Sequence, residues 1–230
     1  SKVADAKMKM YNLDGSEGKM CGNGIRCVGK FLYDHGMVDI NEKDEITIET
    51  LSGIKKLKAY TSGGKVNRLR VDMGKAILDP KEIPVVLDGD KVVDRPVEIA
   101  GKNYNITCVS MGNPHCVVFM DDIDNLDIET VGPEFENDKL FPERVNTEFV
   151  TVLDDHTIKM RVWERGSGET WACGTGACAV AVAACENGFC KKGEDIKIKL
   201  KGGDLIINYT DETVYMTGNA EKVFEGEVEV

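Results

Sequence analysis

The stretch Trp171-Ala172-Cys173-Gly174-Thr175-Gly176-Ala177-Cys178 is a second copy of Met20-Cys21-Gly22-Asn23-Gly24-Ile25-Arg26-Cys27, and this repetition constrains the chain more than any other feature. Each copy sets a cysteine directly before a Gly-x-Gly turn and continues as a helix-like run. Each then reaches a glycine fifteen residues past the cysteine, at Gly36 and Gly188. The pattern predicts two matched helices, each opening at its cysteine. A thiol there faces backbone N–H groups with no partner inside the helix, and about half a positive charge from the helix end. Such a position is expected to lower the pKa of both thiols.

The repetition extends beyond the cysteines. Residues 46–50, 54–60 and 68–73 read as strands after the first helix, and residues 196–200, 204–209 and 213–217 as strands after the second. Even the endings correspond, Val71-Asp72-Met73-Gly74 against Val214-Tyr215-Met216-Thr217-Gly218, as an internal duplication requires. Met8 to Asn12 alternates like a short strand before the turn Asp14-Gly15-Ser16. From Ala76 to Pro96 the periodicity weakens around Pro80, Pro84 and Asp88-Gly89, which reads as a connection between lobes. Strands over 103–110, 115–120, 145–152 and 157–164, with a helix near 129–137, fill the interval before Cys173. The expected fold is α+β, with two pseudo-symmetric lobes, each a strongly curved β-sheet wrapped around a central α-helix. Residues 1–76 would form the N-terminal lobe, completed by 219–230, and residues 77–218 the C-terminal lobe. Because far fewer residues precede Cys21 than separate Lys75 from Cys173, the first lobe is expected to be truncated at its start.

With 230 residues, 42% of them hydrophobic, the chain can bury a large core. A formal net charge of −11 with no basic cluster argues against nucleic acid or an anionic membrane as the main partner. The sequence has no apolar run long enough to span a bilayer and opens with no signal-like segment, so a cytoplasmic protein is expected. Its eight cysteines then read as reduced thiols. No Cys-x-x-Cys occurs, and His35, His115 and His156 are scattered, so no metal site is expected. Cys27, Cys178 and Cys185, among apolar or small neighbours, read as small buried hydrophobes.

Two equivalent acid–base groups facing each other suit a reaction that removes a proton from one face of a carbon and returns one to the other. Racemisation and epimerisation are such reactions. The α-hydrogen of an amino acid is weakly acidic, so the base must be aligned and the developing enediolate met by fixed donors. Two converging helix N-termini would supply those donors, and Gly22, Gly24, Gly174 and Gly176 would let the backbone approach a carboxylate closely.

Residues 12–17 (Asn-Leu-Asp-Gly-Ser-Glu) leading into 20–27, and Glu164-Arg165-Gly166-Ser167-Gly168-Glu169-Thr170 leading into 172–176, resemble the two signatures of the diaminopimelate epimerase family. Ser110-Met111-Gly112-Asn113-Pro114-His115 and Arg144-Val145-Asn146-Thr147-Glu148-Phe149 also match it, so the resemblance spans the chain. It implies an isomerase that interconverts LL- and meso-2,6-diaminopimelate without pyridoxal phosphate or any other cofactor, on the way to lysine and peptidoglycan precursors. Cys21 and Cys173 would be the two catalytic bases in an interlobe cleft. Gly22, Asn23, Gly174 and Thr175 would donate to the reacting carboxylate, while Asn12, Asn113, Asn146, Glu164 and Arg165 would hold the substrate's other polar groups and His115 would line the site. The small-molecule substrate is then the main partner, and a homodimer is admitted. The family's opening strand, its Gly-Leu-Gly-Asn-like turn and a Gly-x-Gly-Ala-Asp-Gly-like segment are not found before Ser1. Within the same fold, a proline racemase or hydroxyproline epimerase is the nearest alternative; Asn23 and Glu164-Arg165 argue against it. An inactive binding or assembly protein on this scaffold, or a thiol–disulfide redox role, are the alternatives of other classes.

Overall fold

A computed structural model describes residues 1–11, 15, 17, 18, 20–40 and 45–227. The chain divides into two units, residues 1–71 with 217–230, and residues 72–216.

In the first unit, β1 (Ala6–Lys7) lies parallel to β2 (Ile46–Thr50). Helix α1 (Gly22–Asp34) separates them in sequence, and β3 (Gly53–Ser62) and β4 (Lys65–Gly74) extend the sheet antiparallel, in the order β1-β2-β3-β4. Helix α1 packs on β2 and β3 and buries Gly22, Ile25, Arg26, Gly29 and Leu32, the three-to-four spacing that gathers residues on one face of a helix. Gly29 marks the closest approach: a Cβ there would meet Leu69 Cδ2 at 2.6 Å and Leu57 Cδ2 at 2.9 Å. One turn on, Lys30 and Asp34 pair at 2.8 Å. Both also serve Val66, whose carbonyl accepts from Lys30 and whose N–H donates to Asp34 Oδ1 at 2.9 Å. The returning C-terminal segment is fixed by Arg26 Nε donating to Asn219 O at 3.2 Å and by Ala220 N donating to Asn67 O at 3.4 Å.

Two local expectations change here. The short strand read at residues 8–12 lies earlier, at Ala6–Lys7, because β2 ends at Thr50 and a parallel neighbour in this register runs out of partner. Met8 N still donates to Glu49 O at 2.9 Å, and Tyr11 forms an isolated bridge with Glu17. Asn12 lies outside the described residues. Cys27 is exposed rather than buried, since it falls beside the apolar stripe of α1 and not on it.

The second unit holds β5 (Arg95–Ile99), β6 (Lys102–Ser110), β7 (Pro114–Phe119), α2 (Ile128–Glu136), β8 (Asn146–Asp154) and β9 (Thr157–Glu164). Then follow β10 (Gly168–Thr170), α3 (Gly174–Glu186), β11 (Asp195–Leu200), β12 (Gly203–Tyr209) and β13 (Val214–Asn219), which carries the chain back to the first unit. The sheet order is β13-β12-β11-β9-β8-β7-β6-β5, with β10 on β9, and β7–β8 and β9–β11 are its parallel pairs. Helix α3 touches β6, β7 and β8 as well as β11 and β12, so the sheet curls around it. Its sequence makes this possible: the run Ala177-Cys178-Ala179-Val180-Ala181-Val182-Ala183-Ala184 is small, apolar on every side and wholly inaccessible. A helix without a polar face is stable only when enclosed.

Residues 76–94 do not link the two units. They belong to the second, where Ile83, Val85 and Val92 enter a core with Ile106, Phe135 and Phe149. Backbone bonds from Ile77 N to Ser110 O and from Cys108 N to Val92 O, both 2.9 Å, fasten the segment along β6. Its apolar residues are spaced by prolines rather than by a helix or strand period, which is why the pattern reads as loose.

Candidate active site

The two cysteine helices begin and end alike. Cys21 is the N-cap of α1, with φ −129° and ψ 114°, and its Sγ accepts from Gly24 N at 3.3 Å. Cys173 is the N-cap of α3, with φ −117° and ψ 112°, and its Sγ accepts from Gly176 N at 3.3 Å. The carbonyls of the same residues accept the first helical bonds, from Ile25 N at 3.0 Å and Ala177 N at 2.9 Å. Helix geometry leaves the N–H groups of Gly22 and Asn23, and of Gly174 and Thr175, without an acceptor inside their helices. At the other end Gly36 (φ +65°) and Gly188 (φ +78°) reverse the chain. Gly36 N donates to Tyr33 O and Met37 N to Leu32 O, and Gly188 N to Cys185 O and Phe189 N to Ala184 O, the same paired closure at both copies.

Around Cys173 the second unit assembles a polar cluster. Thr175 Oγ1 lies 3.5 Å from Cys173 Sγ and accepts from Asn113 Nδ2 at 3.3 Å. Asn113 Oδ1 is 3.1 Å from His115 Nε2, and His115 Nδ1 is 2.7 Å from Glu148 Oε1. Parallel pairing of β7 with β8 sets His115 opposite Asn146 and Val117 opposite Glu148, which brings the imidazole and the carboxyl together. Glu148 also abuts the start of α3: a Cβ on Gly176 would meet its Oε1 at 2.5 Å and Cys173 Sγ at 3.2 Å, so only glycine fits.

These surroundings overturn the expectation of a lowered pKa at Cys173. Burial pushes its thiol well above the ordinary range, the carboxyl of Glu164 pushes the same way, and the Thr175 hydroxyl and Gly176 N–H oppose them. The partial charge of a helix end is outweighed by desolvation and the nearby Glu164 carboxyl. Burial likewise raises Cys185 to about 12 and Cys190 to about 11, so these thiols are inert ones.

Glu164 and Arg165 stand at the end of β9, next to Asn146. Asn146 Oδ1 accepts from Arg165 N at 2.9 Å and its Nδ2 donates to Pro114 O at 2.9 Å, so this amide ties the turn to β7. Glu164 accepts from the Thr170 hydroxyl, and Arg165 Nη1 donates to Glu143 O at 2.8 Å. Beneath the turn, Glu136 accepts from Gly166 N at 2.9 Å, Arg144 Nη1 at 3.0 Å and Trp163 Nε1 at 2.7 Å. Glu136 and Glu148 are the supporting residues that motif reading missed. For Glu148 the sequence held no signal, because its place in the buried run 145–150 emerges only from the fold. Cys21, Gly22 and Asn23 belong to the first unit, and Asn113, His115, Asn146, Glu164, Arg165, Cys173, Gly174 and Thr175 to the second.

A helix capped by cysteine and packed on a sheet occurs in both units, and the fold is one found among solved structures. The solved structure of a probable proline racemase from Agrobacterium radiobacter K84 superposes with a TM-score of 0.72 over 94% of this chain and 69% of that one, at 16% identity, a likeness of fold alone. The family itself is set by sequence. The chain belongs to the diaminopimelate epimerase family, whose model, described as diaminopimelate epimerase, matches residues 1–78 and 107–223. A curated diaminopimelate epimerase of Acetivibrio thermocellus is 53% identical over 232 residues, covering 100% of this chain and 81% of the relative. That of Agathobacter rectalis is 52% identical over 239 residues, covering 100% and 82%.

Proposed function

We propose that this chain epimerises 2,6-diaminopimelate between its LL and meso forms, with Cys21 and Cys173 as the two acid–base groups. The observation that carries the reading is the pair of matched cysteine caps in a chain half identical to named diaminopimelate epimerases. Burial and the Glu164 carboxyl favour the protonated form of Cys173, which suits it to begin as the donor, with Cys21 as the base. The Cys21 thiolate takes the α-hydrogen as a proton; the electron pair passes into the carboxyl group, and Cys173 S–H then protonates the opposite face of the carbon. In the reverse direction the roles exchange. In this reading the helix-end N–H groups of Gly22, Asn23, Gly174 and Thr175 would meet the charge that grows on the carboxyl oxygens, where fixed donors contribute most. Asn12, Asn113, Asn146, Glu164 and Arg165, with His115 alongside, would hold the distal amino-acid end. A zwitterion asks for amides, a carboxylate and a guanidinium rather than an apolar wall. The family also favours a cytoplasmic setting, where the eight cysteines, none of them in a disulfide, stay reduced.

The test is α-hydrogen exchange in D2O, followed by NMR with LL- or meso-diaminopimelate, reductant present and proline as control. Exchange into diaminopimelate alone is expected. Cys21→Ala and Cys173→Ala should each lower turnover by at least about a hundredfold, the usual scale of a lost general acid or base. Wild-type turnover by the double variant, or exchange into proline alone, would refute the reading.

A further inference from the structure

His115 and Glu148 are completely buried, and their contact at 2.7 Å shares a hydrogen whose location the neighbours decide. Asn113 donates its amide hydrogen to Thr175 and turns its oxygen to His115, so Nε2 must carry a hydrogen to be satisfied. Two states fit. In one, an imidazolium faces a carboxylate; in the other, a neutral imidazole accepts at Nδ1 from a carboxylic acid. The second oxygen of Glu148 separates them, because Oε2 is buried with no hydrogen-bond partner among the described residues. An ionised carboxylate would leave half its charge unpaired there, whereas in the neutral acid the same atom is a plain carbonyl oxygen, far cheaper to bury. Burial, opposed by His115 and reinforced by Glu164, raises Glu148 in agreement.

We propose that Glu148 is a neutral carboxylic acid that donates to His115 Nδ1, fixes the imidazole as its Nε2–H tautomer and thereby sets Asn113 and Thr175 at the start of α3. It is a positioning residue, acting through His115 on the group beside Cys173. The consequence for turnover rests on the epimerase reading; the tautomer does not.

Nitrogen-15 NMR of the imidazole near neutral pH tests the tautomer directly. The expected spectrum shows Nδ1 without and Nε2 with a proton. Two protonated nitrogens would overturn the proposal whatever the substrate proves to be. Glu148→Gln, whose amide donates as the acid does, should keep that tautomer and most of kcat. Glu148→Leu should lower kcat about 10- to 100-fold, the usual scale for a lost supporting hydrogen bond, with a smaller change in KM. Equal losses in both variants would mean that the charge matters and the proposal is wrong. If the leucine variant does not fold, the glutamine variant and the wild-type spectrum still decide. A wild-type protein inactive on diaminopimelate but showing the expected tautomer would remove the epimerase reading and leave this one standing.

Discussion

Cys21 and Cys173 adopt nearly the same backbone and accept from equivalent N–H groups, yet their environments differ. Cys173 is 5% exposed, while Cys21 is half-buried. Because burial and the Glu164 carboxyl push the Cys173 thiol upward, its alkylation by iodoacetamide should keep accelerating as pH rises past 9, its ordinary value. Peptide mass spectrometry after timed labelling would read this, with exposed Cys27 as an internal standard; a plateau at Cys173 below pH 8 would contradict it. The helix end was legible at this scale and the thiol's ionisation was not. A Cys-Gly-x-Gly run announces a cap, but Glu148 comes from another strand and enters only through the β7–β8 register. An acid in a strand reads by default as a solvent-facing position, and only burial on both faces of the sheet reverses that.

Helix α2 carries none of the cysteines, yet it supports the Glu164–Arg165 turn of the candidate site. A Cβ on Gly132 would strike the Trp163 ring at 2.3 Å, so the helix and β9 meet where no side chain can intervene. Trp163 Nε1 donates to Glu136, the residue that also holds Gly166 of the Glu164–Arg165 turn. Gly132→Ala should therefore destabilise the protein by about 1–3 kcal/mol, the range for overpacking a dense core. It should also raise KM for diaminopimelate more than it lowers kcat. Thermal unfolding and steady-state kinetics check both, and an unchanged melting temperature would refute the packing argument. The strands with clean alternation and the helix near 129–137 were legible because one face of each is buried. Segment 76–94 was not, for Ile83, Val85 and Val92 reach the core singly from an aperiodic chain.

At the scale of the whole molecule, the two units repeat a device without repeating its protection. Residues Ala177 to Ala184 of α3 are inaccessible, whereas α1 exposes Cys27 and Phe31 and buries one face only. Amide hydrogen exchange should accordingly be slowest in α3 and measurably faster in α1, since local opening is rarest where enclosure is complete. Equal protection of the two helices would count against this difference. The duplication itself was legible from paired motifs and matching strand endings, but the unequal enclosure was not, because it depends on how many strands reach each helix. One consequence follows from sulfur standing where hydroxyl and amide side chains are the favoured caps. A thiolate accepts a hydrogen bond more strongly than a thiol does. Whenever a proton leaves one sulfur, the bond that opens its helix tightens, and when a proton arrives it slackens. Protonation state and helix-end order thus become one variable, and the beginning of each helix acts as a gauge of where the proton is.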